Sequence, residues 1–125
     1  MAAGTMDIRI IDGPLEVIAL PAGDDGCGAE TMFVGRTRGE HHADYGDLVA
    51  LVYECYEAMA ASTLEEIAKE AADRWPIRTL RLWHAMGRVA VGEASLLVAT
   101  CTPHRSEGLA ATAWIIDQLK LRAEI

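Results

Sequence analysis

Apolar positions along the chain switch between a period of two and a period near 3.6, and the switches mark out its elements. Asp7-Ile8-Arg9-Ile10-Ile11 alternates weakly and reads as a first strand. Asp12-Gly13-Pro14 starts a brief helix through Leu20, with Pro14 in the first turn, where its missing N–H costs least. Pro21 to Gly28 has no period and is a loop. Glu30 to Arg38 holds β-branched and aromatic residues around Gly35 and predicts a strand with a bulge or a close backbone approach. A polar loop follows from Gly39 to Asp47, and Leu48 to Tyr56 is the clearest strand. Ala58 to Arg74 is the clearest helix. Leu64, Ile67, Ala68 and Ala71 recur at spacings of three and four, while Glu65, Glu66, Lys69, Glu70 and Asp73 point away. Pro76 stops it. Arg78 to Met86 sets Leu80, Leu82 and His84 on one face of a half-buried strand. Gly87 and Gly92 bracket Arg88 to Val91 as a hairpin, Ser95 to Thr100 is a buried strand, and a last helix runs from about Ser106 to about Arg122.

Strands in runs, separated by few helices, predict an α+β fold with a mixed or antiparallel sheet, two long helices and one short one. The 125 residues fit a single domain behind a flexible leader, Met1 to Thr5. That leader has neither a basic nor an apolar region, and no apolar run approaches the roughly 18 residues of a membrane helix. Neither a signal peptide nor a membrane partner is expected. A formal charge of -8 argues against general nucleic-acid binding, which needs a net basic face. It leaves room for a local cationic pocket, because nine of the eleven cations are arginines. Cys27, Cys55 and Cys101 are widely spaced and form no CxxC pair, so reduced, mostly buried thiols and a cytoplasmic location are expected.

Candidate chemistry gathers in three places. Thr102-Pro103-His104-Arg105-Ser106-Glu107 lies between a buried strand and the last helix. A helix N-terminus presents free N–H groups and attracts anions, and His104 with Arg105 adds charge and a planar donor fork. The alternative is that Ser106 caps the helix and the other two are ordinary surface residues. Lys120 stacks with Leu109, Ala113 and Ile116 on one line of that helix, at the edge of an apolar arc that includes Thr112, Ile115 and Leu119. It either snorkels to water or projects into a pocket as a nucleophile or proton donor. Arg36 and Arg38, two apart in a strand, share a face and can converge on one anion, with salt bridges to carboxylates as the alternative. His41, His42, Asp44 and Asp47 sit on an irregular loop without the fixed spacing of a metal site, so no metal is expected.

These residues fall into a larger series. Phe33-x-Gly35-Arg36-x-Arg38 and Leu51-x-Tyr53-Glu54-x-Tyr56-x-x-Met59 resemble the catalytic (large) subunit of molybdopterin synthase. So do Arg74-Trp75-Pro76, His84-x-x-Gly87, Gly92-Glu93, Pro103-His104-Arg105 and Trp114-x-Ile116-Asp117-x-Leu119-Lys120, in family order from about Asp7 onward. The resemblance implies a hammerhead-like fold and a sulfurtransferase needing no cofactor. A small ubiquitin-like partner would insert its C-terminal Gly-Gly thiocarboxylate and deliver sulfur to cyclic pyranopterin monophosphate, forming the molybdopterin dithiolene. Two large subunits would pair as a homodimer, with one small subunit at each end of a heterotetramer. By the same resemblance Arg38, His104 and Arg105 bind substrate, Arg36 is a further candidate, and Lys120 is catalytic. Family members continue into an aromatic-Lys segment bearing a second active-site lysine, whereas this sequence ends at Glu124-Ile125. Cys55, Glu57-Ala58 and Ala85 replace a histidine, a Pro-Gly turn and an arginine frequent in the family. The alternative reading is a non-catalytic truncated paralogue that dimerises and holds the small subunit without turnover. An unrelated acidic anion-binding enzyme ranks behind both.

Overall fold

Leu80 and Leu82 lie fully buried on one face of the longest strand, under the apolar stripes of two helices. The computed structural model describes residues 4–21, 23 and 25–123. Its strands are β1 (Thr5–Asp12), β2 (Ala29–Arg36), β3 (His41–His42), β4 (Gly46–Asp47), β5 (Ala50–Tyr53), β6 (Thr79–Ala90) and β7 (Ala94–Thr102); its helices are α1 (Glu57–Arg74) and α2 (Arg105–Arg122). The main sheet has the order β1-β6-β7-β2, with β5 pairing the far end of β6. β1 and β6 run parallel and the other pairs antiparallel, so the sheet is mixed and the α+β class holds. β3 and β4 form a separate two-residue hairpin. Of the leader expected over residues 1–5, residues 1–3 lie outside the described residues. Thr5 already belongs to β1 and donates its N–H to the Arg78 carbonyl at 3.0 Å.

Period-two alternation gives the sheet two apolar faces. Leu80, Leu82 and Val98 turn toward α1 and α2, where Leu64, Ile67, Ala71, Ala111 and Ile115 complete the main core. Trp83, Ala85, Leu97, Ala99 and Cys101 turn the other way. That second face is covered by the stretch expected to be a short helix. Residues 16–20 have no helical structure, and the described residues contain two helices, not three. Gly13 N–H donates to the Met86 carbonyl and Leu15 N–H to that of Ala94, so the backbone groups serve the sheet instead. Leu15 and Leu20 are the buried anchors. Five residues apart, they would sit about 140° apart around a helix and could not share its buried face. An extended segment delivers both.

Gly87 does not begin a separate hairpin. It adopts φ +79° within β6, and the turn lies only at residues 91–93, where Glu93 N–H bonds the Ala90 carbonyl. β6 therefore pairs β1 and β7 with its first part and β5 with residues 87–90. The strand expected from Leu48 to Tyr56 is shorter, because Tyr56 already caps α1. Cys27 and Cys101 are not independent thiols. They form a disulfide between the loop before β2 and β7, with Cα atoms 5.6 Å apart, and Cys55 is the free cysteine. Spacing could not reveal a pairing across 74 residues, which the sheet alone brings together.

Candidate functional site

A cleft of about 610 Å³ opens where the end of β2, β5, β6, β7 and the last turns of α2 meet. Its cationic side chains are Arg36 and Lys120, and its walls carry Tyr53, His84, Phe33 and Leu96 but no Asp or Glu. In a chain of net charge -8, a cleft without a carboxylate is suited to an anionic ligand.

Lys120 is placed by its neighbours on α2. Ala111, Thr112, Ile115 and Leu119 are buried against the sheet and α1, and Thr112 meets Thr100 oxygen to oxygen at 3.1 Å. Leu109 and Ala113, expected on the same line as Lys120, are exposed, so the buried arc lies one residue aside from the expected one. Lys120 is consequently exposed at the cleft wall rather than sunk in apolar surroundings. The register of β2 against β7 shifts between Gly35 and Arg36, and a Cβ on Gly35 would lie 3.2 Å from that of Leu96. The shift turns Arg36 to the cleft, with its guanidinium donating to the Gly92 carbonyl at 2.8 Å.

Arg38 does not join it. β2 ends at Arg36, Thr37 is buried with its hydroxyl donating to the Val89 carbonyl, and the Arg38 guanidinium pairs with Glu40 at 2.9 Å. Arg38 is not on the cleft wall, and the shared strand face expected for the two arginines is absent. His104 and Arg105 lie elsewhere too, in a second concavity of about 490 Å³ at the start of α2. His104, not Ser106, is the N-cap; Glu107 accepts both its backbone N–H and its ring Nδ1 at 3.0 Å. Sixteen residues of helix separate His104 from Lys120, about 24 Å along the axis. The chain thus carries two anion-suited places on one helix.

His84, expected on the Leu80–Leu82 face of its strand but not among the candidate site residues, also lines the cleft. It continues the Leu80–Leu82 line to the end of the core, and a polar residue completing an apolar line is the signal that marks it. Its ring meets that of Tyr53 edge to face at 5.4 Å, its Nδ1 lies 2.7 Å from the Ala85 carbonyl, and burial pushes its pKa below the usual histidine value. Other motif residues prove architectural. Trp75 packs on Trp114 at 5.7 Å, Arg74 lies over the Trp114 ring at 4.6 Å, and Arg122 binds Glu70, tying α2 to α1. His41 pairs with Asp47 at 2.8 Å across the β3–β4 hairpin, and the His42 ring accepts the Asp44 N–H. Among the described residues, no group of three or more His, Cys, Asp or Glu is placed to hold a metal.

The profile of one protein family, described as MoaE protein, matches residues 11–122. The chain belongs to this family. A curated relative from Drosophila willistoni, named molybdopterin synthase catalytic subunit, is 38% identical over 121 residues. The match covers 94% of this chain and 32% of that protein, so the chain spans about a third of the length of such relatives. Among solved structures, the molybdopterin synthase of Staphylococcus aureus superposes with a TM-score of 0.80 at 24% identity, covering 92% of this chain and 84% of the other. The complex of subunits 1 and 2 of molybdopterin-converting factor from Helicobacter pylori gives 0.72 at 24% identity, with coverages of 94% and 80%. Both share the MoaE fold seen here.

Proposed function

We propose that the chain is the catalytic subunit of molybdopterin synthase, transferring sulfur from the thiocarboxylated C-terminus of a small ubiquitin-like subunit to cyclic pyranopterin monophosphate. The observation that carries this reading is the carboxylate-free cleft holding Lys120 and Arg36 in a MoaE-family chain. Both reactants are anions: the donor is a thiocarboxylate chain end and the acceptor bears a cyclic phosphate. Lys120, on a rigid helix, orients the thiocarboxylate and stabilises negative charge that builds as sulfur attacks. Arg36 keeps donors beyond the one given to Gly92 and serves the anionic end of either reactant. The name of the fly relative and the two-subunit complex from Helicobacter support the reaction and the partner.

The same reading includes a homodimer inside a heterotetramer. Arg38, His104 and Arg105, expected to bind substrate, stand away from Lys120 within one protomer. A homodimer that sets the start of one α2 against the cleft of its mate unites the two places without bending either helix. We also place the protein in the cytoplasm.

The test is reconstitution of the chain with thiocarboxylated small subunit and cyclic pyranopterin monophosphate, with molybdopterin read as its fluorescent oxidised derivative. Many turnovers per chain are expected. Small-subunit binding without product would overturn the catalytic reading in favour of a binding-only paralogue.

A further inference from the structure

The cationic side chains of the cleft only donate, and the ring of His84 sets an acceptor among them. Arg36 and Lys120 carry donors only. Ser95 turns its hydroxyl toward the Gly35 carbonyl at 3.5 Å. His84 differs from all three. A carbonyl oxygen only accepts, so the 2.7 Å contact with Ala85 requires the hydrogen on Nδ1. In the neutral ring Nε2 is then a bare acceptor, and with Nδ1 turned to the backbone it is the ring nitrogen left for the cleft. The edge-to-face contact with Tyr53 fixes the ring plane. Burial keeps the ring neutral at physiological pH, and the ionisable groups around it are Arg36 from β2, Tyr53 from β5 and Lys120 from α2.

We propose that Nε2 of His84 is the recognition point for a hydrogen-bond donor on the substrate, an N–H or O–H of its nitrogen heterocycle, while Arg36 and Lys120 hold the anionic end. Cations attract any phosphate or carboxylate of suitable size. An acceptor set at a fixed place among them favours a ligand that brings a donor there over an anion that has none. His84 is thus a specificity-determining residue, and the proposal rests on the functional reading for the identity of the heterocycle.

Two substitutions separate the ring's nitrogens. His84→Asn places an amide N–H near Nδ1 and keeps the bond to Ala85, but it supplies no acceptor at the Nε2 position. His84→Gln carries its amide oxygen out to about that position. Equilibrium binding of cyclic pyranopterin monophosphate should weaken about tenfold in His84→Asn, the loss of roughly one hydrogen bond, and return to within about threefold in His84→Gln. Binding of inorganic phosphate should not change in either. Wild-type affinity should fall as pH drops through the His84 pKa, and His84→Gln should lose that dependence. Nitrogen-15 NMR of the free protein should show the Nδ1–H tautomer; an Nε2–H ring overturns the proposal whatever the substrate. Sulfur transfer by His84→Asn with an unchanged KM also overturns it and leaves the proposed function standing. Binding that depends on His84 without sulfur transfer does the reverse, and a wild-type protein that does not bind the pterin overturns both.

Discussion

Lys120 owes its position to buried residues rather than to a partner of its own. Ile115 and Leu119 anchor the helix, and Lys120, one step beyond Leu119, emerges at the cleft wall. Because it is exposed, removing it should leave the fold intact while removing charge stabilisation. Lys120→Ala should lower kcat for molybdopterin formation by about 10²–10³ with no change in thermal midpoint, measured in the reconstituted assay and by calorimetry. Its candidacy was legible in the sequence, since few lysines occur and this one edges an apolar arc. His84 was less legible. Its period-two position fits a satisfied core histidine equally well, and only the fold shows that the core ends beside it. Arg38 shows the converse: alternation predicts a face shared with Arg36, but β2 stops and the chain turns to bury Thr37.

Between residue and molecule, the bend in β6 decides where the cleft can form. Gly87 at φ +79° lets one strand serve both the main sheet and β5, which brings Tyr53 onto His84. A Cβ there would also lie 2.5 Å from Asp12 Oδ1. Gly87→Ala should cost at least about 1–2 kcal/mol from the left-handed backbone alone, read from urea unfolding. The sequence marked Gly87 as punctuation but not what it punctuates, because a glycine between apolar residues suits a turn, a bulge or a bend alike. Helix α1 was the most legible element, its buried residues being those of its apolar stripe together with Ala60. The residues 13–20 were the least. Pro14 favours a helix start locally, while the exposed second face of the sheet needs Leu15 and Leu20 laid over it.

For the molecule as a whole, the disulfide and the pairing of protomers are the quantities to measure. The bridge closes a loop of 74 residues, so Cys27→Ser should lower unfolding stability by about 2–4 kcal/mol without reductant and by much less in its presence, read by denaturant titration. For the dimer, Lys120→Ala and a His104→Ala/Arg105→Ala double variant should each be strongly impaired alone. Mixed after unfolding and refolding, they should regain molybdopterin formation if each site draws on both protomers; no recovery sinks the shared-site dimer. What the sequence determined by itself is local or periodic: the α+β class, the two long helices, the acidic surface with scarce lysines, and the ordered motifs of the family. The class and the helices follow from side-chain spacing within one element, where neighbours in sequence are neighbours in space; the charge is composition, and the motifs are a resemblance. The tertiary structure alone decided which side chains from different elements meet. It joined Cys27 to Cys101, separated His104 and Arg105 from Lys120, and brought Arg36, Tyr53, His84 and Lys120 to one cleft. Such encounters depend on strand register, a bulge and a bend, which single-residue shifts can reverse and which no periodicity in the sequence records.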